Sequence, residues 1–120
     1  MKHLILVAAG GAIGSVARYG MAILFQSQHM RFPWGTFTVN LLGAFVIGLL
    51  WAKFGGEPSA PTRSLLFIGL LGGFTTFSSF ALESLDLINK GLWATAVVYI
   101  LATNLLGLAL VFTGYYLAKL

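Results

Sequence analysis

The residues of this sequence best suited to chemistry lie in one run, Gly69-Leu70-Leu71-Gly72-Gly73-Phe74-Thr75-Thr76-Phe77-Ser78-Ser79-Phe80. Glycines followed by paired threonines and paired serines make a poor helix. The run falls near the middle of a long apolar stretch, where a broken helix is tolerated only if buried protein or a cavity receives its freed backbone groups. Carbonyls freed there and converging make a site for a small hard cation, which takes oxygen ligands. Phe77 and Phe80 are three apart and share a helix face. They are either a stack of core aromatics or, beside four hydroxyls, rings whose electropositive edges suit a small anion.

Other polar residues stand inside apolar sequence. Asn40 lies about two turns into a stretch that opens Trp34-Gly35-Thr36-Phe37-Thr38-Val39. A buried amide costs free energy unless it is bonded, so Asn40 either ties helices together or turns its NH2 toward a permeating anion. Arg18 follows Gly14 by four residues, on the same face. It either snorkels to the nearby interface or attracts anions at a pore mouth. Gly10, Gly11, Gly14 and Ser15 mark a close helix contact. Tyr99, Thr103 and Gly107 are four apart and form one stripe carrying hydroxyls. Thr103 alone would be read as bonded back onto its own helix, and Asn104 is expected to bond another helix. Glu57, Glu83 and Asp86 are expected at or near helix ends. That leaves no plausible catalytic acid–base pair, so the chain is not expected to be an enzyme.

The elements that must position these residues follow from composition. Hydrophobic residues make up 58% of the chain and charged ones 8%, against about 25% charged in ordinary soluble domains. Lipid can solvate such a surface and water cannot. A helix needs roughly 20 apolar residues to span the hydrocarbon core. Four stretches qualify, at about residues 4–25, 33–53, 63–89 and 91–118. The expectation is an all-α membrane protein of one transmembrane domain over residues 1–120, with its third helix broken at mid-membrane. The connectors Gln26 to Pro33, Gly55 to Pro61 and Asn89-Lys90-Gly91 carry turn residues. Trp34, Trp51 and Trp93 sit at helix ends, where an amphipathic ring prefers the interface. Lys2 and His3 before an apolar run resemble a leader, but the run continues through Leu24 and is expected to be a helix of the mature protein.

With no cysteine, disulfides, thiolate metal sites and thiol nucleophiles are excluded. Lys and Arg outnumber Asp and Glu seven to three, yet they are scattered between apolar blocks. They read as headgroup anchors rather than a nucleic-acid surface. Four crossings put both termini and the middle loop on one side, with Lys2, Lys53, Arg63 and Lys119. The other side has Arg31 and Lys90, with Arg18 near it. Four against three gives the positive-inside rule almost nothing to act on. Insertion in both orientations is therefore expected, which allows the chain to pair with itself antiparallel.

Over essentially its whole length the chain resembles the Fluc fluoride channels, or CrcB-like proteins. The resemblance rests on Gly11 to Arg18-Tyr19, Gly35-Thr36 to Asn40, the segment from Gly72 to Phe80, and Glu83 three residues on. The third-helix segment is the most specific of these. The resemblance implies passive efflux of fluoride from the cytoplasm through a multi-pass protein of the bacterial inner or plasma membrane. It implies an antiparallel, dual-topology homodimer with two pores and a structural sodium ion. Phe77 and Phe80 would then be the aromatic box and Asn40 an anion-facing amide. Carbonyls of Gly72 and Thr75 would hold Na+, and Tyr99 and Thr103 would start a polar track. Arg18 and Glu83 remain as pore-mouth or anchoring residues. Gly107 and Val111 depart from relatives that carry Ser or Thr along that track.

Two rivals make different demands. A proton-coupled small multidrug exporter also has four helices, but needs a carboxylate deep in the membrane, and the first helix has none. A non-transporting membrane scaffold would have polar residues that form no continuous path.

Overall fold

The computed structural model describes residues 1–26 and 31–120. Of the first connector, residues 27–30 lie outside the described residues. Helix α1 spans Lys2–Leu24 and α2 spans Trp34–Lys53. Helix α3 covers residues 60–74, starting as Ala60–Thr62, widening into π-helical turns over Arg63–Leu71 and ending as Gly72–Phe74. Helix α4 is Phe77–Asn89 and α5 is Trp93–Leu117. With α3 and α4 taken as one span, four helices among the described residues are long and apolar enough to cross a membrane.

The ends of these helices have local causes. Ser59 starts α3 by accepting the Thr62 N–H at 3.4 Å, and Pro61 sits where its missing N–H costs nothing. Helices α2 and α4 finish in the same motif. At Gly55 and Gly91 φ is +62° and +76°, a conformation glycine adopts without a Cβ penalty. The following N–H then reaches back five residues, Gly56 to Trp51 at 2.9 Å and Leu92 to Leu87 at 2.9 Å.

Two parallel pairs build the bundle, α1 along α3 and α2 along α5. Neither pair has a hydrophobic driving force in lipid, so close backbone approach has to hold it. Glycine supplies that approach. A Cβ at Gly10 or Gly14 of α1 would run into the Leu65 and Leu70 carbonyls of α3. In the second pair, Gly48 of α2 lies against the Val111 carbonyl and Gly114 of α5 against the Phe45 carbonyl. A smaller apolar core of Phe80, Leu87, Ala96 and Tyr99 joins α4 to α5. Most other large apolar side chains, among them Leu4, Val16, Leu105 and Phe112, point outward, as suits helices solvated by lipid or by another protein chain.

Candidate functional site

Helical geometry stops at Phe74 and resumes at Phe77. Between them Thr75 (φ −83°, ψ 156°) and Thr76 (φ −150°, ψ 118°) are extended. The threonines are well chosen for such a joint. Thr75 sends both its N–H (3.0 Å) and its hydroxyl (2.9 Å) to the Leu71 carbonyl, closing the last turn of α3. Thr76 opens α4, its Oγ1 accepting the Ser79 N–H at 3.2 Å.

An extended pair strands backbone groups that a continuous helix would use, and two neighbouring helices satisfy them. Asn40 of α2 donates from Nδ2 to the Thr76 carbonyl at 3.1 Å and accepts the Thr76 N–H on Oδ1 at 2.8 Å. Its amide therefore ties helices, and since Nδ2 carries two protons, one donor remains beyond this pair. From α1, Arg18 Nε donates to the Gly73 carbonyl at 3.0 Å. Arg18 is partly buried, with its side chain on the joint rather than extended toward a helix end.

The joint divides two cavities, both lined by Thr76. The first, about 340 Å³, has Ser15, Arg18, Thr36, Ser79 and Glu83 in its walls. Glu83 corrects the expectation of a helix-end carboxylate, because it stands in the middle of α4. There it bridges elements, Oε1 accepting from Thr36 Oγ1 at 2.5 Å and Oε2 from the Tyr99 hydroxyl at 3.1 Å. Tyr99 is fully buried against Phe80, ring centroids 5.1 Å apart. Thus Tyr99 meets the first cavity's carboxylate rather than continuing a stripe into the second.

The second cavity, about 250 Å³, is lined by Asn40, Thr75, Thr76, Phe77, Phe80, Thr103 and Asn104. The Phe77 and Phe80 rings lie 5.7 Å apart and tilted by 49°. Phe80 is buried, whereas Phe77 is 79% exposed on the single chain. Thr103 Oγ1 is buried and, among the described residues, has no hydrogen-bond partner. Asn104 departs from expectation: its Nδ2 donates to the Ile100 carbonyl of its own helix at 2.7 Å, not to another helix.

Gly72 and Thr75 share a third, mostly apolar cavity of about 310 Å³ with Gly43, Ala44, Ile47, Phe67, Leu71 and Val111. Among the described residues, side-chain donors near the joint go to Leu71, Gly73 and Thr76, and none goes to the Gly72 or Thr75 carbonyl. No cluster of His, Asp or Glu able to hold a metal occurs among the described residues.

Thr36, Thr76 and Ser79 belong to the site, although sequence reasoning assigned them no role. Thr36 and Asn40 are four apart, one turn of α2, which places both against the joint and α4. That spacing was the available signal.

Residues 5–115 match the family described as CrcB-like protein, Camphor Resistance (CrcB). The chain is 48% identical over 124 residues to the fluoride-specific ion channel FluC of Methylobacillus flagellatus, covering 100% of this chain and 97% of that protein. It is 46% identical to the fluoride-specific ion channel FluC of Caulobacter vibrioides (99% and 97% covered) and 47% identical to that of Thermus thermophilus (96% and 94% covered).

Proposed function

The chain belongs to the CrcB-like family, and from that premise we infer that it is a fluoride-specific ion channel. It is a multi-pass protein of the bacterial cell membrane and not an enzyme. The observation that carries the reading is the second cavity, where an unpartnered Thr103 hydroxyl faces the same space as Asn40 and two phenyl rings. A small anion holds its water tightly, so a selective path must offer donors in place of that water. Thr103 Oγ1–H and the second Asn40 N–H are such donors, and the edges of Phe77 and Phe80 add weak positive potential. No Lys or Arg lines this cavity, so a fluoride ion is solvated there without being trapped by a full charge.

In this reading fluoride enters the first cavity, passes the Asn40–Thr76 partition and moves between the phenyl rings toward Thr103. Movement is passive, down the electrochemical gradient from the cytoplasm. Fluoride efflux from reconstituted liposomes, compared with chloride, tests it.

Three finer features belong to the same proposal. The Thr75–Thr76 joint lies near the middle of the membrane, supported by its place within the 30-residue span Ala60–Asn89. The working unit is an antiparallel homodimer, supported by the balanced loop charge and by Phe77 and Gly72 lying exposed on the single chain. The Gly72 and Thr75 carbonyls hold a structural sodium ion between the two copies. Two oxygens per chain that no side chain among the described residues claims fit a small monovalent cation once doubled by symmetry. When bound, the ion supplies positive charge that offsets the stranded carbonyls. Single cysteines at the C-terminus, probed with an impermeant reagent on intact cells, test dual topology, and one-sided labelling would reject it. Full fluoride flux after exhaustive sodium depletion would reject the ion.

A further inference from the structure

Among the described residues, Arg18 is the one charged side chain at the Thr75–Thr76 joint whose hydrogen bond goes to backbone. In a continuous helix the Gly73 carbonyl would accept the N–H four residues on, from Phe77. Extending Thr75 and Thr76 removes that donor. Arg18 replaces it from a position 55 residues earlier in the chain, Nε to Gly73 O at 3.0 Å. Its placement is set by the glycine contacts that lead up to it. One turn before Arg18, Gly14 has no room for a Cβ against the Leu70 carbonyl and the Phe74 N–H. Gly73 in turn faces Gly11, where an added Cβ would come within 2.8 Å of the Gly11 carbonyl. Helix α1 is therefore pressed onto the end of α3, and the arginine stem delivers its first nitrogen to the carbonyl.

We propose that Arg18 is a positioning residue, which holds the end of α3 through the Nε–H donor and not through its positive charge. The bond does two things. It satisfies the carbonyl that the joint would strand, and it decides which freed carbonyls stay available, since among the described residues a side chain takes Gly73 and none takes Gly72 or Thr75. Asn40 fixes Thr76 at the other side of the joint. Between them the two side chains set the direction in which α4 leaves, and with it the placing of Phe77 and Phe80. The consequence for flux rests on the fluoride-path reading above, whereas the consequence for the backbone does not.

Side-chain length supplies a test that separates donor from charge. Gln Nε2 stands the same number of bonds from Cα as Arg Nε and is a neutral donor. Lys keeps the charge but places its donor one bond farther out, and Met has neither. Hydrogen exchange of the protein in detergent micelles, read on the segment 71–80, would be measured for Arg18→Gln, Arg18→Lys and Arg18→Met beside fluoride efflux at low and high salt. Arg18→Met is expected to speed exchange in this segment at least about tenfold, the scale of one lost charge-assisted hydrogen bond. Arg18→Gln is expected to stay within about threefold of the parent in exchange, a neutral donor being somewhat weaker. Arg18→Lys should fall between them, with flux following the same order at both salt concentrations. If Lys matches the parent and Gln behaves like Met, or if only low-salt flux responds, the arginine acts through its charge and the proposal is overturned. Should Arg18→Met not fold, the order of Gln and Lys alone decides. If the parent passes no fluoride, the exchange data still judge the positioning role while the functional reading fails separately.

Discussion

Replacing Asn40 with alanine removes two hydrogen bonds that hold the extended Thr76, at 3.1 and 2.8 Å. Side-chain hydrogen bonds in membrane helix bundles are worth about 0.6 kcal/mol on average and up to about 1.7 kcal/mol. Two of them give about 1–3 kcal/mol. Stranding the Thr76 N–H and carbonyl would add about 1–3 kcal/mol for each group if they stayed dry. Thr76 lines a cavity walled by Ser15, Arg18, Ser79 and Glu83, so water can reach these groups and the smaller figure should govern. Asn40→Ala is therefore expected to lower unfolding stability by about 2 kcal/mol, near the middle of the two-bond range. It should also cut fluoride efflux sharply, because the joint loosens and the second amide proton is lost. Asn40→Asp separates these roles. Its carboxylate can still accept the Thr76 N–H, but it turns an oxygen toward the Thr76 carbonyl and opposes an anion. It should lose less stability than alanine through the first bond and yet pass no fluoride. The assay is unfolding in mixed micelles paired with electrode-detected efflux from liposomes. If Asn40→Ala matches the parent in both, the amide neither holds the joint nor faces the ion.

The Thr103 hydroxyl has no partner to lose among the described residues, so Thr103→Val should leave stability within about 0.5 kcal/mol of the parent. The same change removes one donor from the ion; at about 1.5–3 kcal/mol for a hydrogen bond to a charged group, flux should fall about 10- to 150-fold. Phe77→Ile and Phe80→Ile should both reduce fluoride flux in liposomes. Only Phe80→Ile should also cost about 1 kcal/mol of stability, because Phe80 stacks on Tyr99 while Phe77 is exposed. Gly48→Ala should destabilise the chain by about 1–3 kcal/mol, since its methyl would strike the Val111 backbone. Gly20→Ala, with open space around it, should instead gain up to about 1 kcal/mol of helix propensity.

The four spanning helices were legible in the sequence because lipid imposes a one-dimensional rule: a run of apolar residues of the right length, punctuated by charge. Gly10 and Gly14 could be read as packing residues for the same reason, since close approach has one residue type that serves it best. The poor-helix stretch was visible in its glycines and hydroxyls, but not which residues leave the helix. Thr75 and Thr76 do so, and their identity depends on Asn40 and Arg18, donors supplied from 36 and 55 residues away. Long-range satisfaction of this kind leaves no periodicity to read. Glu83 was expected at or near a helix end, whereas it stands mid-helix and its environment is set by Thr36 and Tyr99 on two other helices. Asn104 was assigned a partner on another helix when its own Ile100 carbonyl lay within reach one turn back. The π-helical turns over Arg63–Leu71 have no signature in the sequence that would have announced them.

The central claim is that donors around the second cavity replace the hydration of a small anion and exclude a larger one. Its most direct test is ion-selective efflux from liposomes carrying the purified chain, with fluoride and chloride loaded in parallel and potassium permeability supplied by an ionophore. The expected result is rapid fluoride release that protein-free vesicles lack, with chloride release no faster than in those controls. Equal fluoride and chloride rates, or no fluoride release from protein shown to be folded in the vesicles, would contradict it.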